Sequence, residues 1–417
     1  MTPPELLALR SPSAVRARAH QVLDHVRAGR SPHFTIEDAA LGTVADYVAA
    51  VTRQDYPTLD IPYHSRWRHF AAGGRDRWAA LEAGALGGLD ARARARTMVD
   101  LAVVSVLLDA GAGDAWRYRE PGGLVIGRSE GLAVASLAMF AAGGFSSSPQ
   151  EPLRVDATAL IGIDAARLGA FFQVAPDNPL VGLEGRVTLL NRLGQALAAR
   201  PDLFGASPPR PGGLVDALVA EAPLGRLPAA RILAALLDGL APIWPAGLVV
   251  EGVELGDVGR HSAIVTGDLS EGLVPFHKLS QWLTYSLLEP FEAAGLAVTD
   301  LDDLTALPEY RNGGLLIDLG LVVARAPLDP AQKHPPGSEM VVEWRALTVA
   351  LLDVLADAVR ERLGFTPDAF PLAKLLQGGG KRKNSQQHYA QVGHHMHGNR
   401  MERRLLTIDQ MVDSHGQ

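Results

Sequence analysis

Residues 261–318, HSAIVTGDLSEGLVPFHKLSQWLTYSLLEPFEAAGLAVTDLDDLTALPEYRNGGLLID, carry the pattern from which the fold class can be read. Phe276, Leu279, Leu283, Leu287 and Phe291 recur at helical spacing, so one apolar stripe faces a core. The spacing predicts a helix from about Phe276 to about Ala294, with Pro275 as its first residue and Gly295 closing it. A second row, His277, Gln281 and Tyr285, repeats every fourth residue with Lys278 beside it. Polar and aromatic groups on so apolar a helix are expected to line a cavity. Upstream, a strand-like run ends in a turn at Gly267-Asp268. Downstream, Asp300, Asp302 and Asp303 precede Glu309-Tyr310-Arg311-Asn312-Gly313-Gly314, which interrupts apolar sequence. Acid, phenol, guanidinium and amide before two glycines suit a loop that approaches a polar ligand. A solvated turn with an Arg–Glu pair is the plainer alternative, and composition alone favours it.

The bounds exclude several classes. The chain has 417 residues, is 47% apolar and carries a net charge of −7. Its length allows a large buried core. The acidic balance argues against a nucleic-acid surface, which needs clustered Lys and Arg. Without an uninterrupted apolar run of about 18 residues, no membrane span is expected. Residues 1–23 lack the basic, apolar and small-residue regions of a secretory signal. The absence of cysteine removes disulfides, thiol nucleophiles and thiolate metal sites, and fits a reducing compartment. Together these point to a cytoplasmic protein.

Residues 1–60 read as helices broken near Gly29–Pro32, their arginines forming a solvated face. Residues 61–78, IPYHSRWRHFAAGGRDRW, crowd Tyr63, His64, Arg66, Trp67, Arg68, His69, Arg75 and Trp78 together. Arginine forks bind phosphate or carboxylate, and Trp or Tyr packs a planar group. A clasp in which arginines stack on tryptophans explains the same composition. Thr97–Asp109 reads as a buried helix. The following Ala110-Gly111-Ala112-Gly113 lacks the Lys-Ser/Thr of a phosphate loop and opens no βαβ unit. Ser129 suits the cap of a helix starting at Glu130, where free amides near Arg128-Ser129 would bind an anion; an ordinary cap is the simpler reading. Asn178, Glu184 and Arg186 precede an amphipathic helix. Ser207–Gly213 (SPPRPGG) is the clearest loop and a possible sub-boundary, near 205–213, within one mainly helical body spanning 1–377. Leu248–Leu255 and Ser262–Val265 read as strands of a hairpin, residues 214–240 as helical, and Val341–Leu363 as a long amphipathic helix. The class is therefore mainly α with a few short strands. From 378 to 417 the sequence turns polar, His-rich and aperiodic, as in a disordered tail. Its His388, His394, His395 and His397 are weak evidence for a metal, and no metal or cofactor is expected.

Several words of this sequence occur together elsewhere: PYHSRWRHF (62–70), DAGAGDAWRY (109–118), RSEGLAVAS (128–136), NPLVGLEGR (178–186), the 261–296 core and LPEYRNGGLLIDLG (307–320). In this set and order, over about residues 10–377, the chain resembles the uracil catabolism protein 4 family of the reductase-independent route of uracil breakdown. VPFHKLSQWLTYSL with LTALPEYRNGG is also similar to paired motifs of the queuosine salvage proteins, nucleotide hydrolases of helical, DNA-glycosylase-like architecture. There an Asp precedes the Tyr-Arg pair; here Glu309 does, longer by one methylene. Family members continue past the Gly-Gly with a Thr-Trp block and end near an Asp-Gly-Thr-hydrophobic-Phe terminus. The text after Gly379 matches neither, as a frameshift in the coding sequence would produce.

The resemblance implies a pyrimidine ring opened while attached to ribose, leaving a ribosyl-urea type species. The implied activity is hydrolysis of its N-glycosidic bond to urea and ribose or ribose phosphate. Such chemistry needs a carboxylate near the anomeric carbon, a donor to the leaving group, and cations for any phosphate. On this reading Glu309 is the carboxylate, with Asp268 on its turn as the rival. His277, Lys278 and Arg311 serve phosphate or ribose, Gln281 and Tyr285 the urea or sugar hydroxyls, and Tyr310 flanks the acid. Tyr63, His64, Arg66 and Trp67 close the pocket. The partner would be a small nucleoside- or nucleotide-derived molecule, with the oligomeric state open. The competing reading is a non-catalytic binding or assembly protein of the same pathway.

Overall fold

Side-chain caps mark where many helices begin. Ser11, Asp76, Asp90, Asp156 and Asp164 each accept a hydrogen bond from the backbone N–H three residues on, supplying a partner that the helix start lacks. A computed structural model describes residues 2–244, 247–326 and 334–379. Among these, helices dominate, and strands occur only as two-stranded pairings of two or three residues per strand. The mainly α class is borne out. The predicted tail from 380, with its histidines, lies outside the described residues, whereas Gly378 and Gly379 end the helix Leu372–Gly379.

The chain divides into two compact units. The first takes the described residues of Met1–His64, Ala246–Lys278 and Asp300–Ser414; the second takes those of Ser65–Pro245 and Leu279–Thr299. In the first unit, the helix Glu339–Leu363 packs against Pro12–Arg27 and Leu41–Asp55. Val15, Val22, Val44 and Val48 on those two helices are buried, as are Val342, Leu351 and Leu355 on the long one. Within this unit His261 is matched: its Nε2 lies 2.8 Å from Glu343, which also accepts from Ser31. His261, the first residue of the 261–318 stretch, is therefore part of a buried structural network.

In the second unit, Ala91–Leu107 packs on Arg128–Ala141 and on Gly213–Glu221. The fully buried Asp100 organises the Ser207–Gly213 loop, accepting from Arg210 and from the Gly212 and Val155 N–H groups. That loop lies wholly inside the second unit. Arg226–Pro228 and Ala297–Thr299 form the one parallel pairing among the described residues.

Four readings of the sequence change. The helix expected from Phe276 begins at Lys278, and Pro275 ends the strand Leu273–Pro275 that pairs with Val258–Arg260. Proline suits an edge strand as well as a first helical turn, and His277, with φ 48°, turns the chain between strand and helix. Ser262–Val265 forms no strand; the hairpin in this region is Val249–Val250 with Val253–Glu254. Glu309–Gly314 is no loop, because Tyr310–Asp318 is helical. The helix expected from Glu130 starts at Arg128. Gly295, at φ 89°, does follow the end of Lys278–Ala293.

Candidate functional site

In the first unit, Glu309 stands at the residue before the helix Tyr310–Asp318. Its backbone carbonyl accepts from the Asn312 and Gly313 N–H groups, and its side chain caps nothing. The carboxylate is thus left for other partners at the positive end of a helix. His64 Nε2 lies 4.0 Å from Glu309 Oε2, whose side chain is 22% exposed. Burial alone would raise this carboxyl's pKa; His64, with the charges of Lys278 and Arg311, more than reverses that and holds it at about 2. Glu309 is therefore a carboxylate at neutral pH. His64 is itself positioned: Gln377 donates to Tyr56 Oη at 2.6 Å, which turns its Oε1 towards His64 Nδ1 at 3.4 Å. Nδ1 then carries the proton in that contact. Arg311 bonds the Tyr310 hydroxyl at 3.1 Å, with its guanidinium over the ring. The structure thus brings together Glu309, His64, Lys278, Tyr310 and Arg311.

Other expected residues are placed differently. Asp268 is exposed and accepts from the Thr266 hydroxyl and from the Ser270 hydroxyl and N–H. Those bonds, Ser270's first, lower its pKa and hold its own turn. His277 is buried with Nε2 3.0 Å from the Leu9 carbonyl, and burial lowers its pKa. Tyr63 is half-buried in the first unit. Gln281 and Tyr285 are fully buried in the second unit. Because the helix starts at Lys278, His277 does not share a helical row with them.

Two residues near Lys278 escaped the sequence reading. The Asp257 carboxylate accepts from the Lys278 N–H at 2.9 Å and takes both Arg345 nitrogens at 2.9 and 2.8 Å. Burial opposes its ionisation, but Arg345, the Lys278 N–H and the nearby His277 hold it at about 2. Arg345 also stacks 4.0 Å over the Phe276 ring. No local pattern announces this pair, since its members are 88 residues apart.

In the second unit, Arg66 is 0% exposed. Its Nε donates to Ser105 and its Nη1 to Asp109 at 2.8 Å and to Ser129; Nη1 also lies 3.1 Å from His69 Nδ1. Burial pulls its pKa down while Asp109 and Glu130 push it up. The Ser129 hydroxyl donates to Asp109 instead of capping the helix. Trp67 Nε1 donates to the Ser286 carbonyl at 2.8 Å. That carbonyl lies one helical turn before Pro290, which has no N–H to give it. Gly131 lets the helix Arg128–Ala141 approach Trp116, since a Cβ there would lie 2.9 Å from the indole and 2.7 Å from the Ile126 carbonyl.

No group of three or more His, Cys, Asp or Glu suited to a metal occurs among the described residues, and no helix there is long and apolar enough to cross a membrane.

A family model described as "Protein of unknown function (DUF1688)" matches residues 8–388. Over 403 residues the chain is 37% identical to Uracil catabolism protein 4 of Lachancea kluyveri, covering 89% of this chain and 91% of that one. The chain belongs to the uracil catabolism protein 4 family. It is also 40% identical over 371 residues to Protein urg3 of Schizosaccharomyces pombe, covering 88% of this chain and 89% of that protein. The words that carried the resemblance have clear roles in this member of the uracil catabolism protein 4 family. HSRWRHF, DAGAGDAW, RSEG and SQWLTYS supply Arg66, Asp109, Ser129 and Trp282 to one cluster of the second unit, whereas LPEYRNGG supplies Glu309 to the first.

Proposed function

We propose that the protein acts in uracil catabolism by hydrolysing the N-glycosidic bond of a ribosyl-urea, or its phosphate, to urea and ribose or ribose phosphate. Two supports carry the reading: the family, one of whose members is named for uracil catabolism, and a carboxylate kept ionised beside His64, Lys278 and Arg311. A carboxyl with a pKa of about 2 is a poor base at neutral pH, so Glu309 acts chiefly through its charge. As the C1′–N bond breaks, its electron pair leaves with the urea nitrogen and positive charge builds on the sugar. Glu309 stabilises that charge and orients the water that adds to C1′. His64 supplies a proton to the departing nitrogen, and the proton lost by the water returns to solvent. Lys278 and Arg311 hold a phosphate where the substrate carries one. The reading includes a DNA-glycosylase-like helical architecture, a small-molecule substrate and a cytoplasmic setting.

The test is incubation of the purified protein with ribosyl-urea and its 5′-phosphate, assaying urea and free sugar. Glu309→Gln is expected to lower urea release by about 100-fold or more, the scale of removing a transition-state charge partner. Unchanged release in Glu309→Gln would overturn the assignment. The network around Glu309 also supports a second reading, a non-catalytic binding protein in which these charges simply match one another. Saturable binding of ribosyl-urea without release of urea would favour it.

A further inference from the structure

Two buried donors of the Arg66 cluster in the second unit lack an acceptor. Arg66 Nη2 is buried and has no hydrogen-bond partner among the described residues, and the same is true of Trp282 Nε1. The guanidinium carbon of Arg66 lies 5.7 Å from the centre of the Trp282 ring, so the two unpaired donors belong to neighbouring side chains. The His69 ring stands 5.8 Å from the same indole, tilted by 55°. An unpaired buried donor costs about 1–3 kcal/mol, and two on neighbouring side chains at the meeting point of four sequence motifs call for an acceptor.

Charge decides what kind of acceptor. Arg66 already pairs with Asp109 at 2.8 Å, and the Glu130 carboxylate acts on it as well. A phosphate or carboxylate entering here would meet two like charges around a single guanidinium. A neutral carbonyl oxygen meets none of that repulsion. The cluster also offers acceptors: Asp109 uses only Oδ2 for Arg66 and Ser129, and the half-buried Glu130 carboxylate accepts no hydrogen bond among the described residues. A ligand that fits therefore both accepts and donates. His69, Ser129 and Glu130 are themselves half-buried, so the cluster reaches the surface at these residues.

We propose that Arg66, Trp282, Asp109 and Glu130 form a binding site in the second unit for a neutral planar group bearing a carbonyl beside an N–H, as in a ureido or imide group. Arg66 Nη2 and Trp282 Nε1 donate to the carbonyl, the acids accept from the N–H, and the indole packs beside the plane. This site is built entirely within the second unit and does not depend on the glycosidic reading.

The experiment is equilibrium binding to the full-length protein by calorimetry, with uracil, N-methylurea and inorganic phosphate as separate probes. Trp282→Phe is the first variant, because it removes the N–H and keeps a packed ring; Arg66→Lys is the second, because it keeps the charge and removes the fork. The expected result is saturable binding of uracil or N-methylurea, weakened about tenfold in Trp282→Phe, the loss of one hydrogen bond. Phosphate should not compete. Absence of binding to folded protein, equal affinity in a folded Trp282→Phe, or phosphate binding more tightly than uracil would each overturn the proposal. Because no turnover is read, failure of urea release with intact Trp282-dependent binding would sink only the glycosidic reading.

Discussion

Glu309 couples the proposed chemistry of the first unit to its stability. Its pKa falls from an ordinary 4.5 to about 2 on folding. A depressed carboxyl contributes stability that is complete above its unfolded value and is lost as pH falls through its folded value. That contribution is therefore present above about pH 4.5 and disappears towards pH 2. At about 1.4 kcal/mol per pH unit it amounts to at most about 3.5 kcal/mol. Denaturant titrations at pH 7 and pH 3 should show Glu309→Gln losing less stability on acidification than the parent protein. An equal acid loss would show that Glu309 is not the responsible group. Asp257, lowered from 3.8 to about 2, contributes above about pH 3.8 and loses that contribution towards pH 2. Asp257→Asn strips Arg345 of its bidentate partner and weakens the cap on Lys278, so a lower thermal midpoint is expected, by several degrees on the scale of about 1–3 kcal/mol. At this scale, residue types were legible and partners were not. Glu309 stood out by its company in EYRN, but the sequence could not show that Gln377 orients His64, or that Asp268 is occupied by its own turn.

Pro290 shows how an element can be read through a missing atom. Without an N–H at 290, the Ser286 carbonyl is left for Trp67 Nε1. Trp67→Phe should then cost about 1 kcal/mol, and less in a Pro290→Ala background, where a restored N–H takes over that carbonyl. A double-mutant cycle by chemical denaturation measures the difference; strict additivity would mean the two residues act separately. Gly313 sets the second element-scale expectation. A Cβ there would lie 2.6 Å from the Trp344 ring and 2.7 Å from Thr348 Oγ1. Gly313→Ala should push the helix Tyr310–Asp318 off Glu339–Leu363, at about 1–3 kcal/mol. Because Glu309 opens that helix, the proposed urea release should fall with the denaturation midpoint. Helical periodicity found Lys278–Ala293 and Glu339–Leu363 because an apolar stripe is a local signal. It misplaced the first of these at its start because proline is compatible with both a strand end and a first helical turn, and only the pairing of Val258 with Pro275 decides between them. The Glu309–Gly314 stretch was read as a loop because its charges and glycines mask a short helix whose Gly313 is there for packing.

At the scale of the molecule, each unit is assembled from separated stretches of chain, which no local sequence pattern reveals. Removing residues 1–64 should expose the buried face of Glu339–Leu363 and yield aggregated protein, a result that size-exclusion chromatography would show. A soluble, cooperatively unfolding product would contradict the interleaved assembly. The same interleaving sets a timetable for the newborn chain. Helix Pro12–Arg27 leaves the ribosome early, but its packing partner at Glu339–Leu363 follows only about 300 residues later. At translation rates of about 5–20 residues per second, the apolar side of the early helix waits for roughly 15–60 s. Chaperone capture of nascent chains shorter than this partner, and release once it has emerged, is the cellular behaviour such an arrangement demands.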